Sequence, residues 1–149
     1  MSAAQTICDM LADPESDDQE IAARIWCFDK GYIINEDKLN VYGNYIHSFQ
    51  YSRENGKYIN WCGYPELYRS YNRYTTSIDA AMSIGHEELE GWTWVASTND
   101  KGCHFNFYSP NPDHMRSLSR VMQSDFLSTI PRAICQAKTQ ALDYVRGLI

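Results

Sequence analysis

Cys103 and His104 are adjacent, and a thiol activated by a nearby imidazole is a common nucleophile. The pattern around them predicts a strand, however, in which consecutive side chains point to opposite faces of the sheet. The thiol and the imidazole therefore cannot act on one another. We expect Cys103 to pack in the core and His104 to lie at the surface, and we predict no catalytic residue.

Metal binding and acid–base catalysis have no better support. The five cysteines and four histidines lack the short spacing, about two to five residues, that zinc ligands usually have, so we predict no metal and no cofactor. Glu87, Glu88 and Glu90 lie in a polar connection, where carboxylates are normally solvated. A general acid or base instead needs a buried group with a shifted pKa. We therefore predict that the protein is not an enzyme.

Residues 64–74 are unusual because they contain four tyrosines and two arginines. Tyrosine rings can stack on a base, and a guanidinium can hold phosphate with two parallel hydrogen bonds. The segment could equally form a protein-binding patch, or a tyrosine-packed connection that covers the sheet. For the first interpretation, a site for a nucleotide-type ligand, the predicted residues are Tyr68, Arg69, Tyr71, Arg73 and Tyr74.

The charge balance suggests an alternative site. A net charge of −6 and a pI of about 5.1 argue against direct DNA binding, because a DNA-binding protein must neutralise phosphates. An acidic surface could instead occupy a basic site on another protein, such as a nuclease. The predicted residues of this protein-interaction surface are Asp17, Asp18, Glu87, Glu88 and Glu90.

Local signals predict the elements that must position these groups. The first clear helix begins at residues 16–18, where acidic side chains match the positive helix end, and Gly31 ends it. Residues 1–15 are predicted to be a flexible leader. Alternating aromatic residues predict a strand over residues 43–52, and an Asn-Gly turn leads into a second strand over residues 57–62.

A short middle helix and a second hairpin follow. Residues 76–77 can cap the helix, with Ile78 facing inward. Apolar alternation predicts a strand over residues 92–98, which turns back into an aromatic strand over residues 103–108. Cross-strand pairs of Trp and Phe should make this hairpin the folding centre.

The last helix carries Pro131 in its first turn, where a missing N–H is harmless, and presents one apolar stripe. The order of elements predicts an α+β fold in which helices sandwich an antiparallel sheet of four or five strands. Residues 16–149 are long enough for one domain. With no spanning apolar run and no secretory signal, we expect a cytoplasmic protein with reduced thiols.

Four motifs, in this order, resemble the phage ABA sandwich family of small phage and prophage proteins: Glu20–Ile25, Tyr74–Ala81, Gly91–Trp94 and Pro131–Cys135. The likeness covers residues 16–35 and 71–148, which makes about 36–70 an expected insertion. The resemblance implies an antiparallel sheet between helices and a mobile-element origin. It carries no established activity and no catalytic residues to transfer.

The resulting functional expectation is a non-catalytic phage or prophage accessory protein that antagonises host defence. Its expected partner is a nucleotide-like signalling molecule that it sequesters. The alternatives are an acidic inhibitor of a host defence protein, comparable to an anti-CRISPR protein, and a structural accessory protein. We expect no membrane interaction, and self-association into a homo-oligomer stays open.

Overall fold

The computed structural model describes residues 2–42, 45–52, 58–62, 73–110 and 121–147. Within these ranges the chain forms four helices and six strands. In chain order they are α1 (Ala3–Ala12), α2 (Asp18–Lys30), β1 (Ile33–Tyr42), β2 (Tyr45–Ser52), β3 (Tyr58–Cys62), α3 (Ile78–Met82), β4 (Thr93–Asn99), β5 (Gly102–Tyr108), β6 (Val121–Gln123) and α4 (Ile130–Gly147). The α+β class is confirmed.

Helix α1 lies where the sequence predicts a flexible leader, so that prediction is wrong. The hydroxyl of Ser2 caps the helix by accepting a hydrogen bond from the Gln5 N–H at 3.1 Å. The apolar residues of α1 recur at helical spacing and form one buried face that packs on α4, which orders the segment. This face consists of Ala4, Ile7, Cys8 and Leu11.

Helix α2 begins and ends close to the predicted positions. Its stop is a glycine cap: Gly31 has a φ of 77°, which is costly for any residue with a Cβ. The Gly31 N–H donates to the Phe28 carbonyl at 3.1 Å and the Tyr32 N–H donates to the Cys27 carbonyl at 2.7 Å. These two bonds satisfy carbonyls that the helix end would otherwise leave unpaired.

The described strands form two three-stranded antiparallel sheets, a different arrangement from one sheet of four or five strands. The first sheet has the order β1-β2-β3, and its β2–β3 pairing confirms the first predicted hairpin. Strand β1 was not predicted, because Glu36, Asp37 and Lys38 interrupt its apolar pattern. The turn at 53–57 and most of the tyrosine-rich segment lie outside the described residues.

The second sheet has the order β4-β5-β6 and contains the predicted aromatic hairpin. Asn99 pairs with Gly102, so two residues form the turn. Trp92 stacks on Phe107 with ring centroids 4.9 Å apart, and Trp94 stacks on Phe105 at 5.6 Å. These cross-strand contacts confirm the predicted Trp–Phe pairs.

Helix α3 is short and capped as predicted, because the Ser77 hydroxyl accepts a hydrogen bond from the Ala80 N–H at 3.2 Å. Its packed face is formed by Ala80 and Ala81, which are buried. Ile78 is 52% exposed, so its predicted inward position is wrong.

Helix α4 lies at the centre of the structure. It packs against β5 and β6 on one side and against α1 and α3 on others, while α2 contacts α1 and the first sheet. Contacts therefore run from the first sheet through α2, α1 and α4 to the second sheet. Between Arg132 and Leu142 nearly every side chain of α4 is buried, including Gln136 and Lys138. A helix with one apolar stripe would expose these polar groups.

Candidate functional site

The predicted nucleotide site is only partly within the described residues. Tyr68, Arg69 and Tyr71 fall outside them. Tyr74 is 3% exposed, belongs to the hydrophobic core, and burial raises the pKa of its phenol. A ring in that position cannot stack on a ligand, so the prediction for Tyr74 is wrong. Arg73 is exposed and stays a candidate.

The predicted acidic surface is divided by the fold. Asp17 and Asp18 lie at the N-terminal end of α2, whereas Glu88 lies beside its C-terminal end through Arg146. Thirteen residues separate these ends by about 20 Å. The five carboxylates therefore do not form one patch.

Asp18 and Glu88 form ion pairs within the protein. Asp18 accepts a hydrogen bond from Arg132 at 2.8 Å. Glu88 forms a bidentate pair with Arg146, at 2.9 and 2.8 Å. Glu87 and Glu90 are exposed. These two carboxylates could therefore still contact a basic surface on a partner protein.

Three basic side chains of α4 each bind carbonyls at the C-terminal end of a different helix. Carbonyls at the C-terminal end of a helix carry the negative end of the helix dipole and have room for a further donor, so a cation stabilises them. Arg132 donates to Leu11 (3.0 Å) and Asp13 (3.4 Å) at the end of α1. Lys138 donates to Met82 (2.5 Å) and Ile84 (3.0 Å) at the end of α3, and Arg146 donates to Phe28 (2.5 Å) and Asp29 (2.7 Å) at the end of α2. These groups are structural.

The buried thiols have low reactivity. Burial raises the pKa of Cys8 and of Cys27 to about 12, and it raises the pKa of Cys135 further. Since the thiolate is the reactive form, these three residues are poor nucleophiles near neutral pH. Cys103 is partly buried and packs against the core, on the face opposite to His104. Its separation from His104 is as predicted.

Two clefts are lined by described residues. A cleft of about 230 Å³ lies beside α1, α2 and the start of β1, and Arg24 and Glu36 line it. The Arg24 guanidinium donates to Glu36 at 2.6 and 2.8 Å and lowers the pKa of that carboxyl. A second cleft of about 330 Å³ lies between α1 and α4, where Asp9, Asp125 and Asp143 contribute to its lining.

The second sheet has one face that no described helix covers, and we call it the outer face. Phe105 and Phe107 point into the core beside α4, so the alternate side chains of β5 and their partners on β4 point outward. Phe126 stacks on His104 at a centroid distance of 4.9 Å. The outer face consists of Val95, Ser97, His104, Asn106 and Phe126.

The outer face carries two exposed apolar side chains. Val95 is 55% exposed and Phe126 is 45% exposed, and Val95 lies diagonally across the strand pair from His104. The Lys101 ammonium lies 6.0 Å from the centre of the Phe126 ring. The strand pattern already indicates Val95 as outward, but Phe126 follows β6 in a loop and carries no local signal.

No cluster of histidine, cysteine or carboxylate side chains among the described residues could hold a metal ion. None of the described helices is both long and apolar enough to cross a membrane. No protein-family model, curated protein or solved structure matches this chain. The resemblance to the phage ABA sandwich family therefore stays a prediction from the motifs.

Proposed function

We propose that this protein is a non-catalytic phage or prophage accessory protein that binds a host defence protein through the outer face. The exposed pair Val95 and Phe126 is the observation that carries this proposal. Apolar groups with a polar border are typical of protein-binding surfaces, because a partner gains free energy by removing them from water. Ser97, His104 and Asn106 are the polar residues of the outer face.

A binding role is also consistent with the structural positions of the buried cations and thiols. The buried cations of α4 stabilise helix ends, and the buried thiols are protonated near neutral pH. Inhibition by occupancy needs neither a nucleophile nor a metal. It needs a rigid surface, which the aromatic contacts of β4 and β5 supply.

The test is capture of a partner from the lysate of a host that carries the targeted defence system. The double variant Val95→Ser with Phe126→Ser should lose the partner, whereas Ile78→Ser should keep it. Ile78 is a matched control because it is a similarly exposed apolar side chain (52%) away from the outer face. Failure of the unaltered protein to retain any host protein would contradict a protein-directed function. Retention by the double variant would exclude the outer face.

The acidic version of this function has support from Glu87 and Glu90, which are exposed. If they carry the binding, capture should weaken steeply with added salt. The variant Glu87→Gln with Glu90→Gln should then release the partner at low salt, while Asp79→Gln, also an exposed carboxylate, should not.

The nucleotide version has support from the exposed side chain of Arg73. Mass spectrometry of small molecules released on denaturation should then detect a nucleotide-type ligand. The variant Arg69→Ala with Arg73→Ala should lose that ligand without a change in melting temperature. An unaltered ligand yield would refute this version.

A further inference from the structure

Among the described residues, no strand pairs with the outer edge of β4, and this open edge lacks the usual protection against pairing. Strand β4 is the terminal strand of its sheet, seven residues long, and its sequence Thr-Trp-Val-Ala-Ser-Thr-Asn contains no charge and no proline. The other described edge strands have features that discourage pairing with another chain. Strand β1 carries three charged residues and an irregular register, while β3 and β6 are only five and three residues long.

The hydrogen bonds of β5 identify which backbone N–H and carbonyl groups of β4 point to the open edge. The Cys103 N–H donates to the Leu127 carbonyl at 2.7 Å, and the Cys103 carbonyl accepts from the Leu127 N–H at 2.8 Å. The N–H and carbonyl of Phe105 likewise both bond to Ser124. Cys103 and Phe105 therefore direct their backbone groups away from β4.

Their partners on β4 must direct backbone groups away from β5. Thr98 pairs with Cys103 and Ala96 pairs with Phe105, so both are at non-hydrogen-bonded positions of the antiparallel ladder. Trp94, two residues earlier, shares this orientation. The N–H and carbonyl groups of these three residues point to the open edge.

We propose that β4 pairs antiparallel with β4 of a second copy of this chain, about a two-fold axis at Ala96. In this register Ala96 faces Ala96 of the second copy, and Trp94 faces Thr98 of the second copy. All six outward backbone groups of each strand then find partners. The result is a continuous six-stranded sheet with the order β6-β5-β4-β4-β5-β6.

The side chains of β4 favour a second copy as the occupant. Aromatic and β-branched residues form stabilising cross-strand pairs, and Trp94 with Thr98 supplies one such pair on each side of the axis. Alanine at the axis leaves room for close approach. No like charges meet, because β4 carries none.

The predicted dimer is weak, because its interface is small. The interface area can be calculated from the number of hydrogen bonds. Six hydrogen bonds correspond to roughly 600–1,200 Å² of buried surface, which is the range of transient interfaces. Trp94 is 51% exposed in the single chain and should lose much of that exposure. Each chain carries a net charge of −6, so added salt should strengthen the dimer by screening repulsion.

The dimer goes beyond the proposed function and does not depend on it. A two-fold axis perpendicular to the sheet keeps both outer faces on the same side. Two copies would therefore present two binding patches together, and a partner with two sites would bind with avidity.

The experiment is sedimentation velocity of the full chain over a range of concentrations, without any partner. The unaltered protein should dimerise reversibly as concentration rises. Thr98→Pro removes an outward N–H that β5 does not use, and should weaken the dimer about tenfold or more. Thr98→Val keeps the N–H and should leave the dimer unchanged. A protein that stays monomeric throughout, or a dimer insensitive to Thr98→Pro, overturns the proposal.

A charge exchange at the axis tests the register itself. Ala96→Lys and Ala96→Glu should each be monomeric, since like charges would face one another across the axis. An equimolar mixture of the two variants should form a heterodimer. Failure of the mixture to associate, with both variants folded by circular dichroism, overturns this register. If either variant is unfolded, the Thr98 pair decides.

Discussion

Replacement of Lys138 by methionine should abolish a specific rise in stability at alkaline pH. Lys138 is 4% exposed and its ammonium lies among Met82 O, Ile84 O and the ring of Phe107, 5.5 Å from the ring centre. Burial lowers the pKa of this side chain from 10.5 to about 8. Asp29 acts in the opposite direction but does not cancel the effect of burial.

The magnitude follows from linkage between protonation and folding. The folded pKa lies below the unfolded one, so below about pH 8 the folded state carries a penalty for holding the charge. That penalty is relieved as the pH rises from about 8 to about 10.5, because the folded protein releases its proton first. A pKa difference of about 2.5 corresponds to about 3 kcal/mol at 1.36 kcal/mol per pKa unit.

Urea unfolding at several pH values between about 7 and 10.5 measures the contribution of Lys138 to the free energy of unfolding. The unaltered protein is compared with Lys138→Met at each pH. Subtracting the unfolding free energy of Lys138→Met from that of the unaltered protein removes the contribution of tyrosines and other common groups. The difference should rise with pH in favour of the unaltered protein. Lys101→Met, a change of an exposed lysine, should give a flat difference. A flat difference for Lys138→Met as well would refute the burial of a charged lysine.

Three further changes test the caps and the core. Gly31→Ala should cost about 1 kcal/mol in urea unfolding, because its φ of 77° strains any residue with a Cβ although open space surrounds it, whereas Gly147→Ala should be neutral. Arg132→Met should lower the unfolding free energy by about 2–4 kcal/mol, since it leaves buried carbonyls and Asp18 unpaired, and an effect below about 1 kcal/mol would contradict that role. Cys8, Cys27 and Cys135 should resist a thiol reagent at neutral pH until denaturant is added, and rapid modification of these three thiols in the native protein, located by peptide mass spectrometry, would show that burial does not protect them.

Elements with strong local signals could be predicted without coordinates. Ser77 and Gly31 act within a few residues of their own position, by a hydroxyl cap and a positive φ. The β4–β5 hairpin likewise depends on alternation and a short turn. Helix α1 was missed although its apolar spacing is readable, because the short segment depends on α4 for its stability.

The candidate site could be predicted only in part. Val95 follows from strand alternation, but nothing local places Phe126 over His104. The prediction for Tyr74 is wrong because a tyrosine is equally suited to an exposed binding surface and to a core. Of the five carboxylates, two are engaged by arginines that are more than fifty residues distant in the sequence.

Sequence alone determined the class of the fold, the approximate ends of α2, the start of α3 and the pairing of the β2–β3 and β4–β5 hairpins, because each rests on interactions between near neighbours. Only the tertiary structure decided that α4 is central. By residue type alone, Arg132, Gln136 and Lys138 would be expected at solvent-exposed positions of α4. They can be buried because carbonyls and amide groups from α1, α3 and adjoining loops supply the hydrogen bonds that water would otherwise provide, and that supply exists only once distant segments have packed together.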